Sequence, residues 1–207
     1  MVITALHGFL GAPSDWNFLR DAGFAIDTPP LDAIPPRGDI LLGYSLGGRL
    51  ALHALLAGAH YERAIFISTG FGIEDESARA ARRASDEAWA HRFESDDWDT
   101  VIRDWNAQPV LAGPALPRTR DDYDPRALRE WSSAVLPPVA SRLHELTIPT
   151  LWIAGARDTK YVAEAHRAAS LAPNARVAIV ENAGHRVPWA QPEALIALLR
   201  NFLATRR

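Results

Sequence analysis

The stretch GDILLGYSLGGRLALHALL, from Gly38 to Leu56, places a single serine between glycines. Gly43-Tyr44-Ser45-Leu46-Gly47 fits the pattern G-x-S-x-G. An apolar run, Ile40 to Leu42, precedes it, and a helical pattern, Leu46 to Ala57, follows. A serine on a sharp strand-to-helix turn sits in a strained backbone conformation with its hydroxyl above the sheet. Small neighbours let the flanking elements close on that turn. The Leu46 N–H, at the helix start, then faces negative charge developing on a substrate oxygen. The bland alternative is a serine in a tight glycine turn, and the strand-and-helix context weighs against it.

A serine hydroxyl alone is a weak nucleophile or base. The motif therefore requires an acid and then a histidine later in the chain. His185 lies in VENAGHRVP, directly after the last expected strand, and Asp158 ends PTLWIAGARD. Both sit past the carboxyl ends of strands, where open α/β sheets place their sites. Asp158 is expected to accept the Nδ1 hydrogen of His185 and to fix the tautomer that leaves Nε2 facing Ser45. A turn aspartate after a strand is commonplace. Asp158 takes a catalytic meaning only from the order Ser, Asp, His. His53, His60, His91, His144 and His166 lie on or beside expected helices and read as surface or packing residues. After the first strand, His7-Gly8-Phe9 turns the chain beside the serine. The Phe9 N–H is the expected second oxyanion donor, with Leu46. His7 reads as a buried turn histidine bonded to backbone.

The elements that must hold these residues alternate. VITAL (Val2 to Leu6), FAIDT (Phe24 to Thr28), DILLG (Asp39 to Gly43), RAIFIST (Arg63 to Thr69), PTLWIAG (Pro149 to Gly155) and RVAIVE (Arg176 to Glu181) read as strands. Most are apolar on consecutive positions, the pattern of strands buried on both faces of a parallel sheet. Helical patterns cover Leu46 to Ala57, Tyr161 to Leu171 and Gln191 to Ala204, and SDWNFLRDAG reads as another, with Ser14 as N-cap and Gly23 as stop. The expected fold is α/β: a compact, mostly parallel sheet with flanking helices in one domain over 1–207. Phe71 to about Leu146 shows no convincing strand and reads as a helical cap insertion, about 71–146. The linker Pro29 to Gly38 is proline-rich, and no helix fits where a parallel crossover normally has one.

Composition narrows the chemistry. A net charge of -3 gives no reason to expect nucleic acid or an anionic membrane as partner. With no cysteine, disulfides and thiolate chemistry are excluded. No apolar run approaches the roughly 20 residues that span a bilayer. The start, Met1 to Leu6, lacks the basic flank and long apolar core of a signal peptide, so a cytoplasmic location is expected. No HExxH motif and no GxGxxG after a strand occur, so neither metal nor cofactor is expected. Oligomeric state does not follow from these features.

His-Gly after the first strand, GYSLGG, GARD and NAGH together resemble the α/β-hydrolase superfamily, in order and over nearly the whole chain outside the cap. GYSLGGR, ARRASDEAWAHRF, DWNAQPV, GARDTKY and NAGHRVPWAQPE resemble one family within it, the 2-succinyl-6-hydroxy-2,4-cyclohexadiene-1-carboxylate synthases of menaquinone biosynthesis. The resemblance implies elimination of pyruvate from a succinyl-enolpyruvyl-cyclohexene carboxylate, with a Ser-His-Asp triad as the base system. The implied substrate is a small molecule bearing several carboxylates, which arginines hold with fixed geometry. Arg49 lies four residues past Ser45, one helical turn into the pocket side, or else is a solvated helix residue. Arg82, Asp86, Trp89 and Phe93 share one helix face. The resemblance places a substrate arginine at Arg82, a pocket aromatic at Trp105 and Tyr44 beside the serine; Arg82 otherwise reads as a surface residue. Lys160 and Tyr161 read as surface positions.

The chain departs from that family. Set against the resemblance it reads as short, with the usual leading strands and one helix expected to be missing and the later cap abbreviated. Arg118 and Arg120 are the candidates for a further substrate arginine. The competing reading is a small carboxylesterase or thioesterase working through an acyl-Ser45 intermediate. A ligand-binding protein without turnover is a third, against which the intact Ser, Asp, His set argues.

Overall fold

The computed structural model describes residues 1–205. All six expected strands form: β1 (Val2–Leu6), β2 (Ala25–Asp27), β3 (Arg37–Tyr44), β4 (His60–Ile67), β5 (Thr150–Gly155) and β6 (Ala175–Val180). They make one sheet in the order β2-β1-β3-β4-β5-β6, and every pairing is parallel. The α-helices are α1 (Asn17–Asp21), α2 (Leu46–Leu56), α3 (Glu76–Ser95), α4 (Trp98–Asn106), α5 (Arg126–Arg129), α6 (Thr159–Leu171), α7 (Val187–Ala190) and α8 (Pro192–Ala204). None of them is long and apolar enough to cross a membrane.

The consecutive apolar runs are explained by the two faces of this sheet. Ile3, Ala5, Ile40, Leu42, Ile65, Ile67, Leu151 and Ile153 point to one side and pack with Leu19 of α1 and Leu195, Leu199 and Phe202 of α8. The alternate residues Leu6, Leu41, Phe66, Trp152 and Ala154 point to the other and pack with α2 and α6. Trp152, 1 % exposed, anchors the second face. Its ring lies 4.3 Å from Phe66 and 6.2 Å from Phe71. Trp152→Ala is expected to cost about 3–5 kcal/mol, because the void cannot close between two strands and a helix. Urea unfolding with the m-value held constant measures this loss.

Local detail differs from expectation at the start of α1, whereas the proline linker is without a helix as expected. Ser14 does not cap a helix. Pro13–Trp16 forms a 3-10 turn preceded by Ala12, whose N–H donates to Asp15 Oδ2 at 3.3 Å, and α1 starts only at Asn17. Proline at the first position suits that turn because its missing N–H would have no partner there. The proline linker forms no helix; instead Leu31 and Ile34 pack directly on the α2 face. Backbone carbonyls of the linker are taken up from outside: Pro35 O accepts from the Tyr61 hydroxyl at 2.8 Å and Pro36 O from the His60 N–H at 2.8 Å. Two apolar side chains and two anchored carbonyls thus cover the sheet where a crossover helix would otherwise lie.

The strand order has one reversal. From β1 the chain runs outward to β2, then returns past β1 to β3 and continues the other way. The carboxyl ends of β1 and β3 therefore flank a crevice at the switch point, where such sheets bind ligands. His7 to Phe9 and Ser45 emerge there. Among the described residues no strand lies between β4 and β5; α3, α4 and α5 occupy that segment.

Candidate active site

Ser45 occupies the turn between β3 and α2 with φ 52° and ψ -110°, a region that a residue with a Cβ rarely adopts. Its N–H donates to Ile67 O at 2.9 Å, and its carbonyl accepts the first helical bond from Arg49 N–H at 3.1 Å. Strand β4 and helix α2 thus hold the strained residue from both sides. The glycines make this approach possible. A Cβ on Gly47 would strike the carbonyl oxygens of Leu6 and His7, and one on Gly43 would strike the backbone of Gly48.

Three side chains meet at this turn. The Ser45 hydroxyl lies 3.0 Å from His185 Nε2, and His185 Nδ1–H donates to Asp158 Oδ2 at 2.8 Å. His185 and Asp158 are buried. Asp158 is oriented in turn: its Oδ1 accepts from the Tyr161 N–H at 3.4 Å at the start of α6. The His185 loop is pinned by Ser68, whose hydroxyl donates to His185 O at 2.8 Å. Ser68 itself has φ 48° at the end of β4, a second strained residue beside the first. Ring contacts fix the imidazole further, with Tyr161 at 4.6 Å and Tyr44 at 5.7 Å.

The loop after β1 lies against the same turn. Gly11 N–H donates to Gly8 O at 3.0 Å, and Leu10 takes φ 56°, closing a tight turn around Phe9. Among the described residues the Phe9 N–H has no acceptor. Leu46 is the first residue of α2, so its N–H has no helical carbonyl behind it. His7 donates from Nδ1 to Gly8 O at 2.9 Å, and burial lowers its pKa. It is a neutral turn histidine, as its position in the sequence suggests.

Ser45, His185 and Tyr44 open into a cavity of about 340 Å³. One wall is aromatic: Trp105 lies 4.8 Å from Phe9 and 5.0 Å from Trp89. Phe93, fully buried behind them, closes the cluster. The other walls carry positive charge. Arg49 lines the cavity, only 9 % exposed. Its Nε–H donates to Trp131 O at 3.2 Å, and among the described residues no carboxylate pairs with it. Burial lowers its pKa to about 10. Arg82 also lines the cavity, but its Nε–H donates to buried Asp86 Oδ1 at 2.7 Å. The second oxygen of Asp86 is buried without a partner. Burial raises the pKa of the Tyr44 phenol, which therefore stays protonated beside the imidazole.

Each sequence-expected residue can now be placed. Ser45, Asp158, His185, Phe9, Leu46, Tyr44, Arg49, Arg82 and Trp105 all gather at this crevice. Arg118 reaches the cavity but is held bidentately by buried Asp15, with both bonds at 2.8 Å. Arg120 does not reach it; its guanidinium donates to Phe93 O and Asp96 O and stacks on Trp98. Lys160 and Tyr161, read from sequence as surface positions, border the cavity, because the start of α6 turns inward beneath Asp158. The sequence reading misses Arg186, Asn106, Trp189 and Ser68. The signal for Arg186 was its adjacency to His185 in a strand-end loop. The signal for Ser68 was its place at the carboxyl end of β4. Among the described residues, no three His, Asp or Glu side chains gather where they would hold a metal ion.

Comparison with known proteins agrees with this architecture. The pattern of the alpha/beta hydrolase family matches residues 3–198. The chain is 36% identical to a 2-succinyl-6-hydroxy-2,4-cyclohexadiene-1-carboxylate synthase of Serratia proteamaculans, over 96% of this chain and 91% of that protein. That alignment runs to 237 positions, longer than the 207 residues here, so the relative carries segments this chain lacks. The synthase of the same name from Salmonella typhimurium is 33% identical over 79% of this chain and 67% of its own length. Among solved structures, MenH from S. aureus superposes with a TM-score of 0.86 at 24% identity, covering 98% of this chain and 93% of that one. A thermophilic esterase from Thermogutta terrifontis superposes at 0.67 with 17% identity, over 98% and 89% of the two chains. These two superpositions are likenesses of fold.

Proposed function

The chain belongs to the α/β-hydrolase family, and on that premise we propose that it is a pyruvate-eliminating synthase of menaquinone formation acting on a small, carboxylate-bearing substrate. Support comes from the Serratia proteamaculans synthase, to which it is similar across almost its full length. The observation that carries the reading is Arg49: a buried guanidinium without an acid partner among the described residues, on the wall of the cavity that Ser45 opens into. Burying a cation unpaired is costly, and a substrate carboxylate removes that cost.

In this reading Asp158 holds His185 as the tautomer whose Nε2 accepts the Ser45 proton. Ser45 Oγ takes a proton from a substrate carbon as its own hydroxyl proton passes to His185 Nε2. The electron pair left behind forms a new carbon–carbon double bond. The bond from the ring carbon to the enolpyruvyl oxygen breaks, and the departing enolate takes up the proton that His185 gives back and leaves as pyruvate. The N–H groups of Phe9 and Leu46 stabilise the negative charge that builds on substrate oxygen. Arg49 and Arg82 hold carboxylates, and Trp105 and Tyr44 give the ring an apolar seat.

A second reading, a small carboxylesterase working through acyl-Ser45, uses the same turn. The unoccupied Phe9 N–H is the observation that favours it, since acyl transfer needs such a donor most. A paired assay separates the two. Pyruvate release from the succinyl-enolpyruvyl-cyclohexene carboxylate is expected to exceed hydrolysis of a short p-nitrophenyl ester by at least about a hundredfold in kcat/KM, roughly 3 kcal/mol of transition-state preference. Ester hydrolysis without pyruvate release would replace the synthase reading with the esterase one.

A further inference from the structure

The arginines on the cavity wall fall into two pairs. Arg49 and Arg82 lie close enough to repel each other, with Asp86 beside them. Arg118 and Arg186 likewise repel each other, with Tyr44 beside Arg186. In each pair one guanidinium is tied to a buried aspartate: Arg82 to Asp86 and Arg118 to Asp15. The other member of each pair has no carboxylate partner among the described residues. Arg186 is thus a second Arg49. It is 8 % exposed and lines the cavity. Burial lowers its pKa. One bond, from Nη2–H to Asn106 Oδ1 on α4, fixes its guanidinium. That single contact leaves the remaining N–H groups, on Nε and Nη1 and the second on Nη2, for a ligand. Because Asn106 accepts through Oδ1, its amide NH2 is also left to donate, and Asn106 lines the cavity as well.

The two unpaired guanidiniums come from different elements and have different neighbours, Arg82 beside Arg49 and Arg118 beside Arg186. Arg49 is one helical turn into α2, whereas Arg186 follows His185 and neighbours Tyr44, the last residue of β3. A buried arginine is stable in such a place when an anion completes it. Two of them, on separate elements and with separate neighbours, offer places for two carboxylates. We propose that Arg186 and Asn106 form a second carboxylate-binding subsite, so that the ligand of this cavity is a dicarboxylate held by Arg49 at one end and by Arg186 at the other. The inference deepens the synthase reading by fixing where a second acid group binds, and it rests on that reading only for the identity of the substrate.

Binding can be read without turnover, because Trp89, Trp105 and Trp189 line the cavity and report by fluorescence. The probes are linear dicarboxylates from succinate to suberate, each against the monocarboxylate of equal chain length. At least one dicarboxylate is expected to bind about tenfold or more tightly than its monocarboxylate, the margin of one added charge-assisted contact. Arg186→Gln removes that margin and leaves the monocarboxylate Kd nearly unchanged. Arg49→Gln removes it too, and Arg186→Lys keeps part of it. An Arg186→Gln protein that retains the margin overturns the proposal, as does a wild-type protein that binds no dicarboxylate better than its monocarboxylate. Should Arg186→Gln fail to fold, Asn106→Leu gives the same reading: a reduced margin supports the subsite, and an unchanged one overturns it. The pyruvate assay keeps the two conclusions apart. A dicarboxylate margin without pyruvate release leaves the subsite standing and removes the synthase. Pyruvate release with an unaltered KM in Arg186→Gln does the reverse.

Discussion

Replacing Ser45 with alanine is expected to lower kcat for pyruvate release by at least about a thousandfold, with KM held within a few-fold. The alanine methyl has no proton to pass to His185 Nε2, 3.0 Å from the hydroxyl it replaces. In the proposed reading the carboxylate contacts of Arg49 and Arg82 are untouched, so binding is expected to persist while the chemical step fails. Folding should be unaffected, since the strain resides in the backbone, at φ 52°, and not in the hydroxyl. A Ser45→Gly variant adds a check on that point. Glycine adopts this backbone region without a Cβ penalty, so Ser45→Gly should unfold at a higher temperature than Ser45→Ala while being equally inactive. Strain that is held only for function predicts that pairing of outcomes. Full pyruvate release by Ser45→Ala would exclude Ser45 as the group that moves the proton.

Asp158→Asn is the second large effect. We expect kcat to drop by about 10³ to 10⁴, again with little change in KM. The reason is the direction of one hydrogen bond. Asp158 Oδ1 accepts from the Tyr161 N–H, and Oδ2 accepts from His185 Nδ1–H. An asparagine must satisfy the same backbone donor with its single carbonyl oxygen. Its NH2 group then faces His185 and donates to Nδ1. The imidazole is driven to the other tautomer, which places a hydrogen on Nε2 toward Ser45, where an acceptor is needed. The variant keeps the size and packing of the aspartate, so its melting temperature should stay near that of the parent. Steady-state kinetics and thermal unfolding measured on the same sample test both halves. A loss of less than tenfold would mean that Asp158 does not set the tautomer.

Much of the framework is legible in the sequence because it rests on local rules. A strand buried on both faces must be apolar at consecutive positions, and Leu151 to Ala154 are buried on alternating sides as that pattern requires. The turn at Ser45 needs glycines at fixed offsets, because the backbones of Leu6, His7 and Gly48 press on those positions. The order of Ser45, Asp158 and His185 along the chain is readable because each follows the end of a strand, and a parallel sheet brings all its carboxyl ends to one edge. Helix starts were less legible: Ser14 looks like a cap, yet the proline before it begins a tighter turn.

The charge pattern of the cavity belongs to the tertiary structure alone. Whether an arginine is free for a ligand depends on which acid lies opposite, and those acids are remote in the chain. Asp15 neutralises Arg118 from 103 positions away, and Asn106 holds Arg186 from 80. Arg82 has its partner one helical turn away and is the single case that spacing suggests. Apolar periodicity and turn glycines are written into neighbouring residues because they act over a few ångströms of continuous chain. Charge compensation acts through space, between segments that only the folded sheet and its covering helices bring together.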